Sequence, residues 1–150
     1  IVLGVLRNKD NCIDTELLQK LKEISDQYDL LTTFHRAFDA TPDPLRSIEA
    51  LVQLEIDRLL TSGTPWGKLG SALDGIDKLK QIVQISRGRI EIVIGGGISF
   101  YNVKDILSDL PLSGNKISVH SYSGVQKNGA TNSEAVKSLV DEVRIFYPLS

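Results

Sequence analysis

Five times along the chain, a short apolar run is followed by a stretch whose apolar residues recur at helical spacing, and this alternation most restricts the fold. The predicted strands cover residues 1–6, 30–38, 58–61, 90–94 and 116–122. Between and after them lie the stripes Leu17, Leu18, Leu21 and Ile24; Leu45, Ile48, Leu51 and Val52; Ile76, Leu79, Ile82 and Val83; Val103, Ile106 and Leu107; and Val136, Leu139, Val140 and Val143. Helix starts are marked by Asp14, by Asp43 ahead of Pro44, by Ser71, by a position near Asn102, and by a capping box of the form Thr131-x-x-Glu134. Strands joined by single helices must run mostly parallel, since each helix serves as a crossover.

Two α/β architectures satisfy this pattern: a five-stranded doubly wound sheet, and five C-terminal βα units of an eight-unit (β/α) TIM-type barrel. Regular alternation puts Thr33 and His35 on one face of the second strand, with Phe34 and Phe38 on the other. In the fifth strand, Ser118 and His120 oppose Ile117 and Val119. A sheet covered on both sides is expected to be apolar on both faces. One polar-leaning face fits a barrel lumen that opens on a site, so residues 1–150 are expected to form one partial barrel domain. A full barrel takes about 250 residues, which leaves roughly three units unaccounted for. The chain has no methionine and opens directly on a strand residue, Ile1, which fits a piece of a longer protein.

Charge and composition exclude several classes of function. Seventeen Lys and Arg against nineteen Asp and Glu leave a net charge of −2, too little positive field for a nucleic-acid binder. No apolar run is long enough to span a membrane, and no signal-peptide pattern is present, so no membrane partner is expected. A single cysteine, Cys12, rules out a disulfide framework within the chain and fits a reducing compartment.

In either architecture ligands bind beyond the carboxyl ends of the strands, which gathers His35, Arg36, Asp39, Thr61, Ser62, Gly95, Gly96, Gly97, His120 and Ser121 at one rim. Gly95-Gly96-Gly97 leaves a strand toward a helix, so its amides can approach an anion; a tight turn explains the triplet equally. Thr61, Ser62 and Ser121 add hydroxyls to that anion site, or serve as turn and capping groups. His35 and His120 are the only histidines and candidates for acid–base work; with Asp39 they have the composition of a two-His, one-carboxylate metal site. Arg36 either clamps a carboxylate or phosphate, or pairs with a neighbouring acid such as Asp39. Trp66 reads as part of a lid or as a packed loop anchor. No reaction follows from these residues, so catalysis is left open. The two free sheet edges of a part-barrel leave room for a homo-oligomer.

The segments Thr33-Phe34-His35-Arg36-Ala37-Phe38-Asp39, Asp43-Pro44, Leu60-Thr61-Ser62-Gly63, Gly95-Gly96-Gly97-Ile98, Asn102 and Val119-His120-Ser121 occur in an order that resembles the CutC copper homeostasis family. The resemblance implies a cytoplasmic (β/α) barrel linked to copper tolerance and Cu(I) binding, with no settled enzymatic reaction. An Arg-Pro-Arg-type motif in the family's N-terminal strands has no counterpart here. Ile94 stands where the family often has proline, and Tyr122 where a second serine is usual. Cu(I) favours thiolate and thioether ligands, and this chain offers one cysteine and no methionine. Cys12, His35 and His120 are the only contributors to a copper site, which would need ligands from elsewhere. The alternative ligand at the rim is a small phosphorylated or carboxylated molecule, taken by an enzyme or sensor.

Overall fold

The computed structural model describes residues 1–147 and contains a five-stranded parallel sheet whose strands lie in sequence order. The strands are β1 (Val2–Leu3), β2 (Thr33–Phe34), β3 (Arg58–Thr61), β4 (Glu91–Ile94) and β5 (Ile117–Val119). Helices α1 (Thr15–Gln27), α2 (Pro44–Gln53), α3 (Ile76–Ser86) and α4 (Val103–Asp109) connect them, and α5 (Ser133–Arg144) follows β5. A doubly wound sheet reverses its strand order at a switch point, whereas sequential order is that of a barrel wall. The fold is that of part of a (β/α) barrel.

Register explains which residues reach the core. Leu3, Phe34, Leu59, Ile92 and Ile117 form one row across the strands, and Thr61, Ile94 and Val119 the next. These rows face the helices, where Leu18, Ile48, Leu51, Leu79, Ile82, Val83 and Ile106 bury the other side of the same core. The alternate rows, Val2-Thr33-Arg58-Glu91 and Leu60-Val93-Ser118, remain uncovered and form an open groove with His120. Val2 is 62% exposed in this groove. Helices on one side only, with a mixed polar and apolar face on the other, are what a barrel lumen requires.

Several local expectations are corrected. The predicted strand at 30–38 stops at Phe34, where the chain turns into a 3₁₀ helix, Arg36–Ala40; His35 caps it by accepting the Ala37 N–H on Nδ1 at 2.9 Å. The first and fifth strands are shorter than predicted: Leu6 instead makes an antiparallel bridge to Ile13, and residues beyond Val119 enter a short 3₁₀ turn, Ser123–Val125. Ser71 does not cap α3. Its N–H and hydroxyl both donate to Asp74 Oδ2, and the helix starts at Ile76 behind Gly75. Gly75 is needed there because a Cβ would lie 2.4 Å from the Ser62 carbonyl oxygen.

The box at Thr131 is also displaced: Asn132 caps α5 by accepting the Ala135 N–H, while Thr131 pairs with Gln126 in a small hairpin. That hairpin turns on Asn128 and Gly129, both at positive φ as a two-residue hairpin turn demands. Leu17, Ile24, Leu45 and Val140, counted with the apolar stripes, are exposed. Leu17 and Ile24 share one flank of α1, one residue and so about 100° around the axis from the buried Leu18 and Ser25. Asp14 and Asp43 do cap as predicted, accepting from Leu17 N–H and Arg46 N–H.

At the other end of the sheet, Asp57 ties the entry of β3 to that of β2. Its Oδ2 accepts the Thr32 N–H at 2.7 Å and the Thr32 hydroxyl at 2.9 Å. Partial burial opposes the charge, but these bonds and the nearby Lys22 outweigh it and hold the carboxyl below its ordinary value. A depressed carboxyl contributes stability that is present above the unfolded-state value and is lost as pH falls through the folded-state value. Asp57→Asn should therefore lower stability by about 1 kcal/mol at neutral pH and flatten the acid side of the stability profile below about pH 4; urea denaturation at stepped pH checks both.

Candidate functional site at the strand tips

One carboxylate organises the rim. The Asp39 side chain is only 2% exposed, and its two oxygens take four donors: the Thr61 hydroxyl on Oδ1, and on Oδ2 the Ser62 N–H at 3.2 Å, the Ser62 hydroxyl at 3.1 Å and Arg36 Nε at 2.9 Å. A buried charge is tolerated only when paired and fully hydrogen-bonded, and Asp39 is both. Arg36 is gripped twice, since Nη2 also donates to Ser62 Oγ at 2.7 Å. Thr64 extends the network through a 2.7 Å contact between its hydroxyl and that of Ser62.

The ring of Trp66 lies 5.9 Å from the Arg36 guanidinium carbon, close enough for a cation–π contact, and the Trp66 backbone N–H donates to the Asp39 carbonyl at 3.1 Å. Trp66 itself is 59% exposed, so it borders the rim instead of filling the core. Arg36 is thus fixed at Nε, at Nη2 and over one face, while Nη1 meets no protein acceptor among the described residues. Both readings of Arg36 survive: it pairs with Asp39 and still presents donors at the rim.

The glycine triplet has a structural reason. Gly95 donates to the Thr61 carbonyl, and a Cβ on it would come within 2.8 Å of Leu60 Cδ1. Gly96 and Gly97 adopt φ of 102° and 71°, and a Cβ on Gly96 would press on Ser62 Cβ at 2.8 Å. The β4 exit thus packs against the β3 exit at Ser62. The amides of Gly96 and Gly97 bond to no protein acceptor among the described residues, which leaves them free for a ligand. Asn102 closes the loop by donating to the Gly97 carbonyl and accepting the Ser99 N–H.

The remaining candidates take distinct positions. Thr61 and Ser62 are fully buried, so their hydroxyls reach a ligand only through Asp39 and Arg36. Ser121 donates its hydroxyl to the Ile98 carbonyl at 2.6 Å, pinning the β5 exit to the Gly95 loop. His120 borders the open groove, exposed, near Gly95. The His35 ring lies against Gly4, where a Cβ would fall 1.9 Å from Cε1, so it leans over β1, away from β5. Thr64 and Gly4 were absent from the expected set. The glycine interrupting an apolar run, Gly4, was the only sequence signal for the second of these.

Copper is the cargo that the family resemblance suggests, and the donors present fit it poorly. Among the described residues no three His, Cys, Asp or Glu side chains cluster as a metal site. β2 and β5 stand three strand spacings apart, roughly 14 Å, and His35 leans further off. Cys12 belongs to a different cleft, with Arg7, Asp43 and Arg46. If Asp39 is what holds the rim together, Asp39→Ala should cost about 2–4 kcal/mol by leaving Arg36 and two hydroxyls without their acceptor; urea denaturation checks this, with Asp10→Ala on the surface as a control of small effect.

Relatives agree with this architecture. A sequence model of the CutC family matches residues 1–123. A family protein CutC from Vibrio cholerae is 41% identical over 106 residues, 71% of this chain and 40% of that protein. The human copper homeostasis protein cutC homolog is 40% identical over 107 residues, covering 71% and 37% respectively. Among solved structures, the copper homeostasis protein CutC of Streptococcus agalactiae superposes with a TM-score of 0.66 at 34% identity, covering 79% of this chain and 53% of that one. A 3-keto-L-gulonate-6-phosphate decarboxylase from Vibrio cholerae, 15% identical, superposes with a TM-score of 0.61 over 99% of this chain and 62% of its own, a likeness of fold alone. The chain spans about two fifths of the length of the curated relatives it matches. With a matching family model over most of its length and the rim motifs in place, this chain belongs to the CutC family.

Proposed function

We propose that the chain serves copper homeostasis in the cytoplasm as one partial barrel domain, and that the ligand its rim binds directly is a small phosphorylated or carboxylated molecule. The copper role rests on family membership. The direct ligand rests on one observation: Arg36 is held by a buried carboxylate and a buried hydroxyl, yet keeps Nη1 without a protein acceptor. An arginine preorganised in this way loses little freedom when an oxyanion arrives, and its planar fork matches carboxylate and phosphate. The free amides of Gly96 and Gly97 add neutral donors on the neighbouring strand exit.

Of the two histidines, His120 is the better candidate to move a proton. In the neutral His35 ring, Nδ1 accepts the Ala37 N–H, which puts the ring proton on Nε2 and makes that atom a donor at the rim. The N–H donors of the rim suit an oxyanion, while Cu(I) prefers thiolate; copper reaches these residues weakly, or with ligands added from another polypeptide. The free edges of β1 and β5 favour such assembly, including a second copy of the chain.

The lone tryptophan, stacked beside Arg36, is a built-in reporter. Inorganic phosphate and citrate should change Trp66 emission saturably, and Arg36→Gln should weaken the response by about tenfold or more. A flat titration with both anions overturns the oxyanion reading. Cu(I) titrated against a chromogenic chelator should show no stoichiometric site in the chain alone; a tight one-to-one site lost in Cys12→Ala would overturn the division of roles.

A further inference from the structure

Behind the Asp39 network, between the start of α2 and α3, the surface opens into a second cleft of about 320 Å³, at the low end for small-molecule sites. Its walls are Phe38, Pro42, Pro44, Pro65 and Ile82, and its charged lining residues are Lys78 and Asp39. It backs onto the rim through Asp39 and Thr64 but shares no residue with the open sheet groove, and neither the family relationship nor the proposed function uses it.

The polar groups around the cleft are nearly all committed. Proline has no N–H to offer, which silences three wall positions. The Gly63 N–H donates to Thr61 Oγ1 at 3.1 Å and the Thr64 N–H to Ser62 Oγ at 3.3 Å. Thr41 directs its hydroxyl and its N–H to the Phe38 carbonyl, at 2.8 and 3.0 Å. Asp39 is saturated by Arg36, Ser62 and Thr61. Lys78 differs from them: it is exposed and joins no ion pair among the described residues.

The geometry points to a binding site for an amphipathic monoanion, a molecule with an apolar body and a single carboxylate head. Pro42, Pro44 and Pro65 receive the body over a floor closed by the buried Phe38 and Ile82, and Lys78 receives the head. Sugars and other ligands with many polar groups are disfavoured, because beyond Lys78 the walls have few donors left for their hydroxyls. Occupancy would press on Thr64, whose hydroxyl contacts Ser62, so a bound molecule touches the network that positions Arg36.

The probe is octanoate, compared with neutral 1-octanol, followed by amide chemical-shift titration of the whole chain. Octanoate should shift Gly63, Thr64, Lys78 and Ile82 saturably. Lys78→Gln should weaken octanoate about tenfold, as loss of a charge-assisted contact does, and leave octanol unchanged; Lys78→Arg should restore octanoate. Lys78 is exposed, so these variants keep the dispersed spectrum of the folded chain. Shifts confined to the open-groove residues Val2, Leu60 and Val93, equal binding of octanoate and octanol, or indifference to Lys78→Gln would each overturn the assignment.

Discussion

A carboxylate with almost no exposed surface, Asp39, sets the geometry of the strand tips. It belongs to the 3₁₀ turn after β2, but three of its four donors come from Thr61 and Ser62 at the end of β3. The bonds fasten two neighbouring βα connections at their most polar point. Removing any one partner would strand a buried charge or hydroxyl, a larger cost than the mean worth of one hydrogen bond. Arg36 is oriented by the same group, so the stability of the rim and the aim of its cation have one cause.

The glycines extend this logic from side chains to backbone. Gly96 packs on Ser62, and Gly63 and Gly75 approach each other so closely that a Cβ on either meets a carbonyl oxygen at 2.4 Å. Gly4 gives its side-chain space to the ring of His35. The strand exits are therefore brought nearer than residues with side chains allow, and only this closeness lets one carboxylate serve two loops. The rim is a network of short reach built on absent side chains.

Much of the fold was legible because it rests on periodicity. Alternating strands and helical stripes imply a parallel sheet, which holds; of the polar face expected from Thr33, His35, Ser118 and His120, all but His35 border the open groove, since β2 ends at Phe34. Asp14 and Asp43 cap their helices because nothing competes locally for their carboxylates. Ser71 failed where a competitor existed three residues on, in Asp74, and where Gly75 alone fits against Ser62. Thr131 failed because the Asn128-Gly129 turn, readable but unread, holds it extended. The grouping of Arg36, Asp39, Thr61 and Ser62 at one end follows from strand direction. Which hydroxyls are buried does not, because Thr61 lies on the helix-facing row only once β3 and β4 are in register.

Donor chemistry separates what the family tie explains from what the rim can bind. Charge-assisted N–H groups and backbone amides are hydrogen-bond donors that recognise oxygen anions, while Cu(I) is a soft ion that binds sulfur. The chain's one thiol, Cys12, lies in a cleft with Arg7, Asp43 and Arg46, where Arg7 is paired with Asp10 and no second sulfur is offered to a soft ion. The groups best preorganised here, Arg36 and the Gly96 and Gly97 amides, all donate hydrogen and none donates an electron pair. The best-placed groups of the rim therefore suit an oxygen anion better than a soft metal ion, and among the described residues no three His, Cys, Asp or Glu side chains gather into a metal site.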